Sequence, residues 1–396
     1  MLDIVLKPGR DKSLIRRHPW IFSGAVSAVH GSPKVGETVD ILSASGEFLA
    51  KAAYNPNSNI VGRVWTWDPA EEVNPDFLHS RLKQAVELRQ NMASLINSNA
   101  MRLVHGESDG LPGLILDQYN EVLVVQFLTT GVEFWRDSLL DIIQRNTNAS
   151  SLYERSDVDV RQLEGLPPKT GQLFGKAINI PLLIIEHGLH IQVDIVNGHK
   201  TGYYLDQRDN RLLARKISTD RKVLDCFSYT GGFTINALAG NARSITLVDS
   251  SESSLNYARE NIAKNNFEMD NVTFIEQDVF TYLRTLRDRG EYFDLVILDP
   301  PKFAPTSSHV DRAARAYKDI NLLALKLLNK AGYLMTFSCS GGVSEDLFQK
   351  IVAGAALDAQ VDAVILDRLH QANDHPVALN FPEGAYLKGF LIEKRS

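Results

Sequence analysis

From Arg221 onward the chain repeats one pattern five times. The apolar runs KVLDCF, SITLVD, VTFIEQD, FDLVILDP and YLMTFS recur with helical segments between them. This strand–helix rhythm predicts an α/β domain built on a mostly parallel, doubly wound sheet, whose ligands gather at the carboxyl ends of the strands. Every candidate functional residue of this region falls just beyond such an end.

The preceding sequence has a different texture. Residues 1 to about 70 read as all-β, with VGETVDILSASGEFLAKAAY and NIVGRVWTW broken by the turn stretches SASG and NPNSN. They predict a small barrel-like module. DPAEEVNPD, residues 68–76, reads as a linker. Phe77–Ile96 then predicts a helix with Phe77, Leu78, Leu82, Ala85, Val86, Leu88, Met92 and Leu95 on a broad apolar face. After the turn cluster GESDGLPG, LILDQYNEVLVVQFL predicts a hairpin. A helix near 132–145 and strands near 178–196 complete a compact α+β region.

A length of 396 residues supports two or three domains, and 44% hydrophobic residues supply each with a core. Two cysteines exclude a disulfide framework, and a reducing compartment is the default. MLDIVLKPGR lacks the apolar centre of a secretory signal, and no stretch approaches the roughly 18 apolar residues of a spanning helix. The cytoplasm is the expected location, with no membrane partner. The net charge of −6 argues against a generally basic nucleic-acid binder. Charge is local, however. KPGRDKSLIRRH, residues 7–18, carries five Lys/Arg, and reads equally as a phosphate-facing patch or a solvated surface.

The first run leads into VLDCFSYTGGFTINAL, where Asp225 closes the strand and Gly231 and Gly232 turn the chain into a helix. Neither the dinucleotide G-x-G-x-x-G nor a phosphate loop is present, which favours a cofactor without a pyrophosphate. Asp249 ends the second run, suited to a ribose, and Asp278 follows the third, suited to an adenine amino group. Helix capping is the rival explanation for each aspartate. The fourth run ends LDPPKF, where consecutive prolines stiffen the segment that carries Asp299. Phe303 follows, close enough to stack on a flat substrate. Lys302 faces either a phosphate or solvent.

DCFSYTGGF, LVDSS, EQDVF and DPPKF together resemble the S-adenosylmethionine site of class I methyltransferases. KPGRDKSLIRRHPWIFSGAV, GESDGLPG, NGHKTGYYLDQR, TFSCSGG and QANDHPV extend that resemblance over essentially the full chain. They are similar to the bacterial family that methylates carbon 5 of cytosine 1962 in 23S ribosomal RNA. The resemblance implies three parts: a PUA domain over 1–72, a central α+β domain over 73–190 and a Rossmann-like methyltransferase domain over 191–396. It implies S-adenosylmethionine as cofactor, lined by Phe227, Tyr229, Thr230 and Gly231, with Asp249 and Ser250 at the ribose, Asp278 at the adenine and Asp299 nearest the reaction. Arg208 is a further cofactor contact. One departure is the placing of Phe227 and Tyr229 between Asp225 and the glycines, where the commonest loop of the class is glycine-rich.

The implied partner is 23S ribosomal RNA, protein-free or partly assembled. Carbon 5 of cytosine is a poor nucleophile, and attack of a thiolate on carbon 6 makes it reactive. Cys339, in the family's strand-five position, is the implied nucleophile, and Asp299 assists at ring nitrogen 3. Many related enzymes carry a second cysteine in the strand-four motif; DPPKF has none. Cys226 reads as a packed small hydrophobe. Arg16 and Arg17 are the preferred RNA-backbone contacts, with Phe303, Lys302 and His375 at the substrate and Asp374 fixing the histidine tautomer. The PUA module serves RNA binding or a homodimer contact. Two alternatives stay open: methylation of an exocyclic amine or ring nitrogen, and a non-catalytic RNA-binding scaffold. No metal is expected.

Overall fold

The computed structural model describes residues 2–92, 95–303 and 310–395. The chain divides into two compact units. One comprises Met1–Ile184, Val193–Leu205 and Asn373–Gly384; the other comprises Ile185–Gln192, Asp206–Ala372 and Ala385–Ser396.

In the first unit, the N-terminal strands form a six-stranded sheet in the order Trp20–Phe22, Ile60–Thr66, Phe48–Tyr54, Thr38–Leu42, Asp3–Leu6, Val26–His30. Only the pairing of Asp3–Leu6 with Thr38–Leu42 is parallel. Alternating apolar residues, among them Ile4, Leu6, Ile41, Ala50 and Val64, close its core. A five-stranded sheet follows, ordered Lys169–Gly175, Ser151–Ser156, Val122–Phe127, Leu114–Tyr119, Ala100–His105. The hairpin expected in LILDQYNEVLVVQFL is its centre. The helix expected near 132–145 is two helices, Thr130–Phe134 and Arg136–Asn146, with a break at Trp135.

The helix expected over Phe77–Ile96 runs from Pro75 to Gln90. Asn74 caps it by accepting the Phe77 N–H at 3.0 Å, and Pro75 occupies the first turn. Its buried face is Phe77, Leu78, Leu82, Ala85 and Arg89, while Leu88 is exposed. Apolar periodicity overlooks such an arginine. Arg89 is buried because Asp109 takes its two terminal nitrogens at 2.7 and 2.8 Å, and carbonyls of Ala85, Arg102 and Asp374 accept the remaining N–H groups.

The two sheets of this unit share a core. Trp65 and Ala53 of the first lie in one cluster with Phe77, Leu114 and Val132. A Cβ on Gly131 would come within 2.5 Å of the Ala53 Cβ, so only glycine permits this approach. Arg63 adds a buried ionic link, donating to Glu107 at 2.7 Å and to Glu164 at 2.9 Å. Glu164 also accepts from Asn55 and Ser58, and Glu107 from the Trp20 indole. Removing the cation strands two carboxylates. Arg63→Met is expected to lower stability by about 3–5 kcal/mol, measured as a drop in the denaturant midpoint.

The second unit holds the doubly wound domain. Its strands are numbered here β1 (Lys222–Cys226), β2 (Ser244–Asp249), β3 (Val272–Glu276), β4 (Phe293–Leu298), β5 (Leu328–Ser338), β6 (Ala363–His370) and β7 (Lys388–Lys394). The helices are α1 (Arg208–Ile217), α2 (Gly232–Ala239), α3 (Glu252–Lys264), α4 (Val279–Asp288), α5 (Val310–Leu327) and α6 (Glu345–Ala359). The sheet order is 3-2-1-4-5-7-6, with β1 to β5 parallel and β7 antiparallel to both neighbours. Strands β6 and β7 lie outside the five-run pattern. AVILDRLH has exposed charges, and KGFLIEK opens on a lysine. Among the described residues no helix is long and apolar enough to cross a membrane.

Candidate active site

Strand register alone assembles the site edge. Cys226 of β1 is level with Val248 of β2 and with Leu298 of β4, and Leu298 is level with Thr336 of β5. One residue further on stand Phe227, Asp249 and Asp299; Cys339 is three beyond Thr336.

The turn from β1 into α2 is tightly wound. Phe227, Tyr229 and Gly231 all have positive φ, at 60°, 49° and 77°. For side-chain-bearing residues this costs on the order of 1–2 kcal/mol each, so the surroundings must impose it. Ser228 donates its N–H to the Val248 carbonyl at 3.1 Å, and Tyr229 donates to Asp249 Oδ2 at 2.9 Å. Asn261 of α3 donates to the Thr230 carbonyl at 3.0 Å, and its own oxygen accepts the Gln192 N–H at 2.7 Å. A Cβ on Gly231 would meet the Ala258 Cβ at 2.9 Å.

Each aspartate has a distinct environment. Asp225 is fully buried, and accepts the Thr234 hydroxyl at 2.7 Å. Burial, reinforced by negative charge at Asp299 and Asp249, pushes its pKa up to about 7. The half-buried Asp249 uses both oxygens, the second accepting the Ser251 N–H at 3.0 Å. It therefore ties the β1 turn to the start of α3, which Ser251 caps through Ser254. Ser250 beside it is exposed. Asp278 is exposed and caps α4, its Oδ1 accepting both the N–H and the hydroxyl of Thr281 at 2.9 Å. For Asp278 the capping role is realised in the geometry.

Cys339 is half-buried at the end of β5, with Sγ 4.0 Å from the carbonyl oxygen of Pro300 in the DPPKF segment. The thiol and the Asp299 motif are thus neighbours. Tyr317 of α5 shares a hydrogen bond of 3.0 Å with the Ser340 hydroxyl. Burial first, then the negative charges at Cys339 and Asp299, pushes this phenol up to about 12, so it stays protonated. Lys388 of β7 donates to the Ser340 carbonyl at 2.8 Å. Phe303 packs at 4.8 Å between ring centroids on Tyr317 and at 5.8 Å on Phe280, joining the core of the domain. Lys302 is exposed. Cys226 is fully buried and its thiol is pushed well up by burial, which makes it inert.

Arg208 is fully enclosed at the start of α1, 3.7 Å from the Asp209 carboxylate. His375 belongs to the first unit, where it is buried with Nδ1 2.9 Å from Asp374 Oδ1. The other Asp374 oxygen accepts the Arg102 N–H, so the pairing of aspartate and histidine sits inside a buried network. Its ring packs at 5.4 Å from that of His105, which burial and the Arg102 charge hold well below the usual histidine range. Arg16 and Arg17 are exposed, as a phosphate-facing patch and a solvated surface both require. Thr234, Asn261, Tyr317 and Lys388 were not singled out in the sequence. The only advance signal was the lone lysine within AYLKGFLIE. No cluster of His, Cys, Asp or Glu able to hold a metal occurs among the described residues.

The sequence pattern of the S-adenosylmethionine-dependent methyltransferases matches residues 169–378, and that of a PUA-like domain matches residues 4–67. The chain is 49% identical over 387 residues to the ribosomal RNA large subunit methyltransferase I of Escherichia coli strain SMS-3-5 / SECEC, covering 98% of both. The chain belongs to the ribosomal RNA large subunit methyltransferase I family. The K12 strain relative of the same name is 48% identical with the same coverage. A methyltransferase structure from Streptococcus mutans superposes over 99% of this chain and 100% of that one, with a TM-score of 0.85 and 23% identity. A second, solved in complex with SAH, gives 0.87 at 23% identity with the same coverage. At that identity both speak to the fold: a class I methyltransferase domain with an N-terminal PUA-like domain.

S-adenosylmethionine is the cofactor of this family, and when bound it supplies an electrophilic methyl group on a sulfonium. The β1–α2 turn fits it. Asp225 Oδ1, Ser228 Oγ and Thr230 Oγ1 are buried with no protein partner among the described residues. Each such group costs about 1–3 kcal/mol when left unpaired, and a polar amino-acid moiety would satisfy them. The Asp249 carboxylate also matches a molecule whose sulfonium and ammonium outweigh one carboxylate.

Gly231→Ala adds strain of about 1–3 kcal/mol and a contact with Ala258, and should weaken S-adenosylmethionine binding by tenfold or more in calorimetry. Asp225 is raised above its unfolded value, so the native state holds the extra proton between about pH 4 and 7. The group therefore favours the fold at low pH, and stability declines as pH rises through about 7. Asp225→Asn should flatten the fall of the thermal midpoint between pH 5 and 8 relative to the parent.

Proposed function

We propose that this chain transfers the methyl group of S-adenosylmethionine to carbon 5 of a cytosine in 23S ribosomal RNA, at position 1962, through a covalent adduct of Cys339. The observation that carries this reading is the placement of the Cys339 thiol beside the Pro300 carbonyl, against the segment that bears Asp299.

The thiolate of Cys339 adds to carbon 6, forming the Sγ–C6 bond and pushing the ring π pair toward carbon 5. Asp299 assists by sharing a proton with ring nitrogen 3. Carbon 5 then takes the methyl, and the electron pair of the broken bond stays on the donor sulfur. A base removes the carbon-5 proton; the pair left behind restores the double bond as the Sγ–C6 bond breaks. The target base is presented single-stranded or flipped. Phe303 is the stacking surface for the base on this reading, half-buried and backed by Tyr317 and Phe280. On this reading Asp249 and Asp278 serve the ribose and adenine with the lone pairs that their structural hydrogen bonds leave over. Arg16, Arg17 and Lys302 meet RNA phosphates, and the enzyme works in the cytoplasm.

Protein-free 23S ribosomal RNA, labelled S-adenosylmethionine and nucleoside mapping test the proposal. The label is expected on 5-methylcytosine, with Cys339→Ala losing transfer to background while retaining cofactor binding. RNA bearing 5-fluorocytosine at the target should become covalently attached to Cys339, because the fluorine cannot leave as the proton does. Label on an amine or ring nitrogen, with Cys339→Ala still active, would overturn the reading.

A further inference from the structure

Lys388 occupies an unusual position for a lysine. It opens β7, an internal strand, in register with Ser338 of β5 on one side and His370 of β6 on the other. The residue is only 6% exposed, and its ammonium donates to the Ser340 carbonyl, one residue past the candidate nucleophile. Tyr317 holds the same serine by its hydroxyl. Ser340 is thereby gripped from α5 and β7 at once, and the turn that carries Cys339 is fixed between them.

The charges around this ammonium come from several elements. Cys339 of the β5 end attracts it when ionised, Glu345 at the start of α6 attracts it more weakly, and Lys302 of the DPPKF segment repels it. Glu345 is itself engaged by Arg368 of β6. Cys339 and Asp299 also act on the Tyr317 phenol, which they push upward. Burial lowers the pKa of Lys388, a sign of desolvation that a nearby anion would relieve.

We propose that Lys388 is a positioning residue for the Cys339 reaction: its ammonium fixes the Ser340 turn and supplies the positive charge that favours the thiolate. The coupling is reciprocal, since a charge that gains from the thiolate stabilises it to the same extent. This inference rests on the reading of Cys339 as the nucleophile, yet thiol reactivity tests it apart from methyl transfer.

The experiment is the pH dependence of Cys339 alkylation by iodoacetamide on the full chain, followed by peptide mass spectrometry so that Cys226 is scored separately. Lys388→Met should raise the midpoint by about one pH unit, a tenfold drop in thiolate fraction at a given pH below it. Lys388→Arg, which restores the charge, should recover most of that shift. Tyr317→Phe removes the other hold on Ser340 without changing charge and should leave the midpoint in place. An unchanged midpoint in Lys388→Met, or an equal shift in Tyr317→Phe, would overturn the proposal. Loss of the fluorocytosine adduct alongside the expected shift would instead count against the carbon-5 chemistry alone.

Discussion

Parallel register is the constraint on which the site depends. Because β1 pairs in step with β2 and β4, and β4 with β5, their ends form a common edge. A slip of one residue on any of these strands would turn its last side chain to the opposite face. The buried rows Val223–Cys226, Leu295–Leu298 and Leu334–Phe337 hold that register by filling the space between helices on both faces. The common placement of residues 225, 249, 299 and 339 is therefore a consequence of apolar packing several residues earlier.

The edge concentrates negative charge, and its acids do different work. Asp249 is a structural tie whose two oxygens receive backbone N–H groups, and Asp278 is a helix cap. Asp225 is buried enough to hold its proton near neutrality. Sequence identity alone makes these residues look alike; their surroundings separate them.

The five apolar runs and their polar ends were legible in the sequence because a buried parallel strand needs near-continuous hydrophobicity. Cys226 and Cys339 were also separable, one within an apolar run and the other at its end. What escaped reading was polar and buried. Arg89 joins the expected apolar face because Asp109 and three carbonyls satisfy it, and of these Asp109, Arg102 and Asp374 are distant in sequence. Lys388 was hidden for the same reason, since its partner at Ser340 lies 48 positions away. The packing of Tyr317 on Phe303, fourteen residues earlier, was hidden in the same way.

The fused core of the first unit has a consequence for how such a chain can be divided. Trp65 and Ala53 lie in the cluster that buries Phe127 and Val132, and Gly131 is pressed against the strand that bears Ala53. A β-module cut away after residue 67 would carry an indole wall with nothing to cover it and a guanidinium deprived of both counterions. What family comparison delimits as a portable cassette shares its core, in this chain, with the sheet that follows, and grafting it elsewhere would mean transplanting its neighbour as well.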